Sequence, residues 1–433
     1  MASARRVWGK RASAAADDAL PPPPPPPPKD AFAALMQAAA VAPTGGPALN
    51  NNTGNNNSNG KAAKKATTGR SWFGRGGGGG GGGRLQPFKR IEGTRYVVDG
   101  FTCGASSGDV HFLTHFHSDH YIGLSKKWPS SVHASAVTAA LVTRRLGLPS
   151  SQLVILPMDV AFEVAGGARV TCIDANHCPG AVIILFQLPD GRSILHTGDF
   201  RYDANAMTRH PALSPYVRVD QRLEQLDALY LDTTYLDPKY TFPTQEAVVR
   251  SVVETCRLLQ QSPRTLVLFG SYSIGKERVF LQVGRELRVE IHVERTKWRL
   301  LECMQLDPCD RAMLTSEPNA STRYRVVPMG HLKAPRLRQM ISESRGRFDA
   351  VVAFRPTGWA FGRGGGGGAG GGAAGRTIRL GGNVSIVEVP YSEHSSFEEL
   401  RRCVHHFKPR KIVATVSGGP RGDKHAGMPL LLT

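Results

Sequence analysis

Four potential metal ligands stand close together in this chain. Residues 115–120 read HFHSDH and supply three imidazoles and one carboxylate. These are the groups with which proteins hold zinc and similar divalent ions. Because histidine makes up only 14 of 433 residues, a chance cluster or a solvated histidine-rich turn explains the segment poorly. The apolar run at residues 110–113 predicts a short buried strand that ends at this cluster.

Four further positions carry the same chemistry near the ends of predicted strands or helices. His177 lies in a turn, Asp199 and Asp232 each follow an apolar run, and His394 precedes a helical pattern. Taken singly, each is better explained as a structural histidine or an ordinary turn aspartate. Together with residues 115–120 they favour one site, because strand ends meet at one edge of a sheet.

Short apolar runs alternate with helical patterns over residues 85–417, and this mixture predicts a layered α/β architecture. Pro189-Asp190-Gly191 is a turn signal between two runs and indicates a hairpin. Residues 245–260 place apolar side chains on one helical face. Ser396 and Glu399 stand in capping-box register and predict the start of another helix.

Low-complexity segments mark the parts that should not join a core. Residues 1–84 contain eight consecutive prolines, an asparagine-rich stretch and a glycine run, and predict a disordered tail. The glycine-rich tract at residues 362–376 predicts a flexible insertion. The acid-free residues 1–16 fit an organelle-targeting peptide, a nuclear-import signal or a plain basic tail equally well.

Charge and cysteine usage bound the class of protein. The net charge of +19 suits a polyanionic partner, nucleic acid first, although a merely soluble basic protein has the same balance. The seven scattered cysteines, without a CxxC pair, predict free thiols in a reducing compartment. No apolar stretch is long enough to predict a membrane span.

The order of the ligands resembles the metallo-β-lactamase superfamily, whose fold is an αββα sandwich with metals at one sheet edge. Asp99 stands where that family has a leading aspartate, which orients a metal ligand. Asp232, His394 and Val416 resemble motifs A, B and C of its β-CASP branch. A valine at the third motif is similar to the DNA-processing members, since RNA-processing members carry histidine there. The resemblance is strongest to the DNA cross-link repair nucleases, with Apollo-like and Artemis-like enzymes among them.

This resemblance implies a domain plan and a ligand set. It divides the chain into residues 1–84 as the tail, 85–235 and 386–433 as the sandwich, and 236–385 as an inserted β-CASP α/β domain. One metal would take His115, His117, His177 and Asp199, and a second would take Asp119, His120, Asp199 and His394. Asp119, Asp232 and His394 are the implied catalytic residues. Imidazole-rich sites suit zinc, as one or two ions, and mixed nitrogen and oxygen sites also accept manganese or iron.

The implied activity is metal-dependent hydrolysis of DNA, by a 5′→3′ exonuclease of interstrand cross-link repair. Lys276, in a glycine-bearing loop after a strand, would face the DNA backbone, although a helix start packed on the core explains it equally well. Ser417 would help to receive a 5′ phosphate, although the chain departs from the family just after Val416. We expect a monomer in the nucleus that acts on DNA with a 5′ end and can meet repair-complex proteins.

Three other functions compete with this one. An RNA 3′-end-processing endonuclease is disfavoured by Val416. A small-molecule lactam or thioester hydrolase on the same fold is disfavoured by the long segment between Asp232 and His394. A non-catalytic scaffold is disfavoured by the intact set of ligands.

Overall fold

The computed structural model describes residues 85–217, 224–319, 322–358 and 375–416, together with residues 428 and 431. The predictions for the tail, for most of the glycine-rich insertion and for Ser417 lie outside these described residues. No helix among them combines the length and apolarity that crossing a bilayer requires.

Seventeen strands and nine α-helices make up the described chain. The strands are β1 Tyr96–Val98, β2 Val110–Phe112, β3 Val132–Ser135, β4 Leu153–Leu156, β5 Phe162–Glu163, β6 Arg169–Asp174, β7 Val182–Gln187, β8 Ser193–His196, β9 Ala228–Leu231, β10 Thr265–Ser271, β11 Ile291–Val293, β12 Leu314–Thr315, β13 Tyr324–Pro328, β14 Ala350–Pro356, β15 Arg376–Arg379, β16 Val384–Val389 and β17 Lys411–Ala414. The helices are α1 Ser118–Tyr121, α2 Ala136–Leu146, α3 Ala204–Thr208, α4 Gln245–Leu259, α5 Glu277–Leu287, α6 Arg295–Leu301, α7 Pro308–Ala312, α8 Ala334–Glu343 and α9 Phe397–Phe407.

Two sheets form the first domain. One is parallel, in the order β1-β2-β3-β4, and the other runs β17-β9-β8-β7-β6-β5. In the second sheet β5 to β8 are antiparallel neighbours, whereas β8, β9 and β17 are parallel. The predicted hairpin around Pro189-Asp190-Gly191 is confirmed as the β7–β8 connection.

An apolar layer joins the two sheets. Tyr96 and Phe112 of the first sheet pack on Phe186 of the second, with ring centroids 5.9 Å and 5.2 Å from it. Helix α2 covers β3 and β4 on the outside, and α9 buries Leu400 and Val404 in the core cluster beyond the second sheet. The predicted αββα sandwich is therefore confirmed, as is the capping box that begins α9.

The third sheet belongs to the inserted α/β domain. Its order is β12-β11-β13-β10-β14-β16-β15, and all neighbours are parallel except β15 and β16. The central β10 is buried over all seven residues, as expected for a strand covered by helices on both faces. The chain leaves the second sheet after β9 and returns as β17. Strand β16, which the predicted boundary between residues 385 and 386 would cut, lies wholly in the third sheet.

Candidate metal centre

Loops at one edge of the sandwich bring the predicted ligands together. The segment after β2 carries the histidines of residues 115–120, and α1 begins within it. His177 lies in the turn between β6 and β7, Asp199 follows β8, Asp232 follows β9 and His394 precedes α9. Each loop follows a buried strand or leads into a capped helix, so these side chains are set by a rigid framework.

Three imidazoles meet at the centre of this edge. His117 Nδ1 lies 3.0 Å from His115 Nε2 and 3.1 Å from His177 Nε2. The other ring nitrogen of His117 donates to the Ile274 carbonyl at 3.2 Å, and that of His177 donates to the Glu393 carbonyl at 2.7 Å. The Thr114 hydroxyl donates to Asp99, so it accepts the Nδ1–H of His115, at 3.0 Å.

These outer hydrogen bonds decide which nitrogens point inward without a proton. With Nδ1 of His115, Nε2 of His117 and Nδ1 of His177 protonated, the three facing nitrogens carry lone pairs. Burial lowers the pKa of all three imidazoles, which keeps them neutral. The lone pair of His117 Nδ1 faces those of His115 Nε2 and His177 Nε2 at 3.0 Å and 3.1 Å, and lone pairs so close repel unless a cation lies among them. The residues present therefore fit a metal ion.

Asp199 joins this trio to a second group. Its Oδ2 lies 3.7 Å from His115 Nε2, 3.9 Å from His177 Nε2 and 3.2 Å from His120 Nε2. Burial alone would raise its pKa, but the surrounding imidazoles, His120 first, hold that pKa well below its usual range. An ionised carboxylate between two nitrogen groups is suited to bridging two cations.

His120 is held between two carboxylates. Its Nδ1 donates to Asp99 Oδ2 at 2.7 Å, while its Nε2 faces Asp199. Burial lowers the pKa of His120, yet Asp199 and Asp99 together raise it well above its ordinary value. Asp99 also accepts the backbone N–H of Thr114 at 2.8 Å and adopts a left-handed φ of 54°. Asp99 therefore holds the His120 ring in this structure, and its role in orienting a metal ligand stays a prediction.

Asp232 and His394 form a pair at the opposite side. Nδ1 of His394 donates to Asp232 Oδ2 at 2.8 Å, and Thr234 donates its N–H and hydroxyl to the other carboxylate oxygen. Burial lowers the pKa of His394, but Asp232 raises it above the ordinary value. One ligand atom each of His394, His177 and Asp199 lies within 4.8 Å of the others. Asp232 therefore orients the His394 ring through Nδ1, so Nε2 is the ring nitrogen that this hydrogen bond does not occupy.

Asp119 stands at the rim. Its side chain is 48% exposed, and its Oδ2 lies 3.7 Å from His120 Nε2. It belongs to none of the groups of three ligand atoms within 4.8 Å that the described residues form. A role for Asp119 as a ligand or catalytic group stays a prediction.

Cys178 was not expected at the site. Its thiol joins His115, His117 and His177 in a group of atoms within 4.8 Å. Burial raises its pKa well above the ordinary thiol value, so it is a neutral neighbour rather than a thiolate. Its position next to His177 in the sequence was the available signal.

Lys276 and Ser417 are the two residues that the sequence predicts to bind DNA. The ammonium of Lys276 is buried and pairs with Glu393 Oε2 at 3.0 Å, so this structure does not present it to a DNA backbone. The physical reason is the buried carboxylate of Glu393, which pairs with the ammonium through one oxygen and accepts the backbone N–H of Lys276 through the other, at 2.7 Å. Ser417 lies outside the described residues. Val416, which is described, follows β17, and β17 pairs with β9, the strand that precedes Asp232.

Comparisons with known proteins agree with this geometry. Residues 104–269 match the beta-lactamase superfamily domain, and residues 308–419 match the DNA repair metallo-beta-lactamase family. The "DNA cross-link repair protein SNM1" of Arabidopsis thaliana is 41% identical over 78% of this chain and 67% of that protein. The "DNA cross-link repair 1A protein" of Gallus gallus is 40% identical over 77% of this chain.

A third relative is the "5' exonuclease Apollo" of Gallus gallus, 31% identical over 76% of this chain and 63% of that protein. The chain spans 33% of the length of the Gallus gallus cross-link repair 1A protein that it matches. The matched regions cover both the sandwich and the inserted domain. The chain belongs to the DNA cross-link repair family, a β-CASP branch of the metallo-β-lactamase superfamily.

Proposed function

We propose that this protein is a metal-dependent DNA nuclease, a 5′→3′ exonuclease that acts in interstrand cross-link repair. The observation that carries the proposal is the convergence of three unprotonated ring nitrogens beside the shared carboxylate Asp199. The names of the relatives, cross-link repair proteins and a 5′ exonuclease, support DNA as the substrate.

The proposed metal is zinc, as one or two ions. Imidazole-rich donor sets suit zinc, whereas manganese or iron also accept mixed nitrogen and oxygen ligands. His115, His117 and His177 would hold one ion, and His120 with His394 would contribute to a second, with Asp199 shared. When bound, such cations supply Lewis-acid chemistry, since they make water acidic and neutralise charge on phosphate oxygens.

The chain's own residues have distinct tasks in phosphodiester hydrolysis. Asp99 keeps the His120 ring turned towards Asp199. Asp232 holds the Nδ1–H of His394, so Nε2 is available as a ligand or, when protonated, as a donor to the leaving oxygen. The exposed Asp119, whose Oδ2 lies 3.7 Å from His120 Nε2, would offer a carboxylate ligand at this rim of the site.

A basic cleft provides a candidate contact for the DNA backbone. It has a volume of about 470 Å³ and is lined by Arg144, Arg145, Thr296 and Arg299, where α2 of the sandwich faces α6 of the inserted domain. Arg144 is paired with Glu302 at 3.0 Å. Guanidinium groups bind phosphate oxygens through charge-assisted hydrogen bonds, so this cleft suits a polyanion.

We also propose a monomer in the nucleus that meets DNA with a 5′ end and proteins of a repair complex. The relatives' names support a place in DNA repair. The N-terminal tail would then serve in recruitment or targeting.

A substrate panel tests the proposal. The full chain is incubated with 5′-phosphorylated single-stranded DNA, matching RNA and a thioester, each with and without chelator. We expect shortening of the DNA from its 5′ end, abolished by chelator. Degradation of RNA with DNA spared would favour the RNA-processing alternative, and thioester cleavage alone would favour a small-molecule hydrolase. An Asp119→Ala/His120→Ala variant with full activity would refute the metal-site assignment.

A further inference from the structure

A loop of the inserted domain reaches the metal centre of the sandwich. Residues 271–277, here called the 271–277 loop, run from the last residue of β10 to the first residue of α5. The carbonyl of Ile274, in this loop, accepts the Nε2–H of His117 at 3.2 Å. This contact gives His117 the tautomer in which Nδ1 faces the other two imidazoles.

The same loop supports His177 through a second residue. The ammonium of Lys276 lies 3.0 Å from Glu393 Oε2, and the backbone N–H of Lys276 donates to Glu393 Oε1 at 2.7 Å. The carbonyl of Glu393 in turn accepts the Nδ1–H of His177 at 2.7 Å. Both charged side chains are buried, with 9% and 4% of their surface exposed. Lys276 thus holds Glu393 in place, and the carbonyl of Glu393 orients the predicted ligand His177.

The loop has a backbone shaped for this contact. Gly275 has a φ of 97°, and a Cβ there would lie 2.8 Å from Glu393 Oε2. Lys276 follows with a φ of 71°, a left-handed backbone conformation that is costly for a residue other than glycine. Lys297 of α6 braces the loop by donating to Glu277 Oε1 at 2.6 Å and to the Ser273 carbonyl at 3.1 Å.

A purely structural explanation accounts poorly for this arrangement. A buried ion pair contributes little net stability, because desolvation offsets the attraction between the charges. A left-handed lysine adds a local cost. The buried ion pair and the left-handed backbone are explained if they orient His177. Hydrogen-bond partners behind a ligating histidine fix its tautomer and raise its metal affinity.

We propose that Lys276 and Glu393 are positioning residues through which the inserted domain completes the metal centre. This inference rests on the proposed metal centre and deepens it. If it holds, metal binding and the docking of the 271–277 loop on the sandwich are coupled, so each makes the other more favourable. The sandwich alone would then bind metal more weakly than the two domains together.

Zinc affinity tests the proposal directly. We would measure it on the full chain by competition with a chromophoric chelator, for wild type, Lys276→Met and Arg285→Met. The Lys276→Met variant should bind zinc about 10- to 100-fold more weakly, as expected when a partner behind a ligand is lost. Activity should return at saturating zinc. Arg285→Met is the matched control, since it breaks an ion pair with buried Asp310 in the same domain and should leave zinc affinity unchanged.

A spectroscopic signature separates positioning from mere stability. Long-range ¹H–¹⁵N spectra of metal-free wild type should show His117 protonated at Nε2 and His177 at Nδ1. In Lys276→Met, His177 should become a mixture of tautomers. If that variant does not fold, Glu393→Gln keeps the carbonyl and side-chain shape, and its zinc affinity should fall in the same direction.

Failure of the positioning proposal and failure of the proposed function give different results. A folded Lys276→Met with wild-type zinc affinity and wild-type tautomers would overturn the positioning proposal while leaving DNA hydrolysis intact. A wild-type chain that binds zinc but leaves DNA untouched would instead refute the proposed function, and the zinc measurements would still support the positioning role.

Discussion

The two sides of the metal centre are supported in different ways. On one side, His120 is oriented by Asp99, 21 residues away and within the same domain. On the other, His117 and His177 are oriented by the carbonyls of Ile274 and Glu393, 157 and 216 residues away. The first support comes from segments that follow neighbouring strands of one sheet, whereas the second needs both a loop of the inserted domain and the segment by which the chain returns to the sandwich. The site is therefore built half locally and half across the domain junction.

The shared carboxylate should matter most, because it touches both sides. Replacing Asp199 by alanine removes the anion that faces His115, His120 and His177. We expect DNA hydrolysis to fall by more than the roughly 100-fold that loss of an outer partner produces. The measurement is the rate of nucleotide release from 5′-phosphorylated DNA. Asp190→Ala, in the exposed β7–β8 turn, is the control, and equal losses in both variants would contradict the assignment.

On the local side, loss of Asp99 should lower both the metal affinity and the stability of the protein. In Asp99→Ala, the buried Thr114 amide and His120 lose their acceptor. We expect metal affinity to fall about 10- to 100-fold and the free energy of unfolding to fall by about 3 kcal/mol. Urea unfolding and chelator competition measure the two effects. Lys276→Met acts on the other side, so the two losses in metal-binding free energy should add in the double variant. Strong non-additivity would show that the sides are not independent.

The Asp232–His394 pair should affect rate more than metal affinity. An Asp232→Asn side chain can still meet His394 but can donate to Nδ1, which moves the ring proton to Nε2. We expect hydrolysis at saturating metal to slow by about 10-fold, with zinc binding at the three-histidine group nearly unchanged. Steady-state rates and zinc competition on the same preparation check this. A large loss of zinc affinity with an unchanged rate would reverse the interpretation.

The smallest effect is expected at the basic cleft of the domain junction. Arg299→Ala should weaken DNA binding modestly and reduce the slope of log affinity against log salt by about 1. Fluorescence anisotropy with single-stranded DNA over a salt series measures both. Arg264→Ala removes an exposed arginine that is paired with Asp349 elsewhere, and it serves as the control. Equal slopes for Arg299→Ala and wild type would exclude this cleft as a phosphate contact.

The same division explains what the sequence could predict. The ligand order and the capping box at Ser396 and Glu399 arise from local patterns and motif spacing, and these were accessible. The alternation of short apolar runs with helical patterns predicted a layered α/β fold, and the resemblance to the metallo-β-lactamase superfamily implied its αββα order. The burial of Lys276 was not, because its partner Glu393 is 117 residues away. The sequence pattern of a glycine-bearing loop before a helix is the same whether its lysine faces a phosphate or a buried carboxylate. The orienting carbonyls were equally hidden, since backbone acceptors carry no sequence signal.

Metal reconstitution tests the central claim most directly. The metal-free 433-residue chain is titrated with zinc while hydrolysis of 5′-phosphorylated single-stranded DNA is recorded. The account predicts negligible hydrolysis without metal and a rise that saturates when the one or two proposed zinc sites are filled. Full hydrolysis by the metal-free protein, or no hydrolysis after zinc has bound, would contradict it.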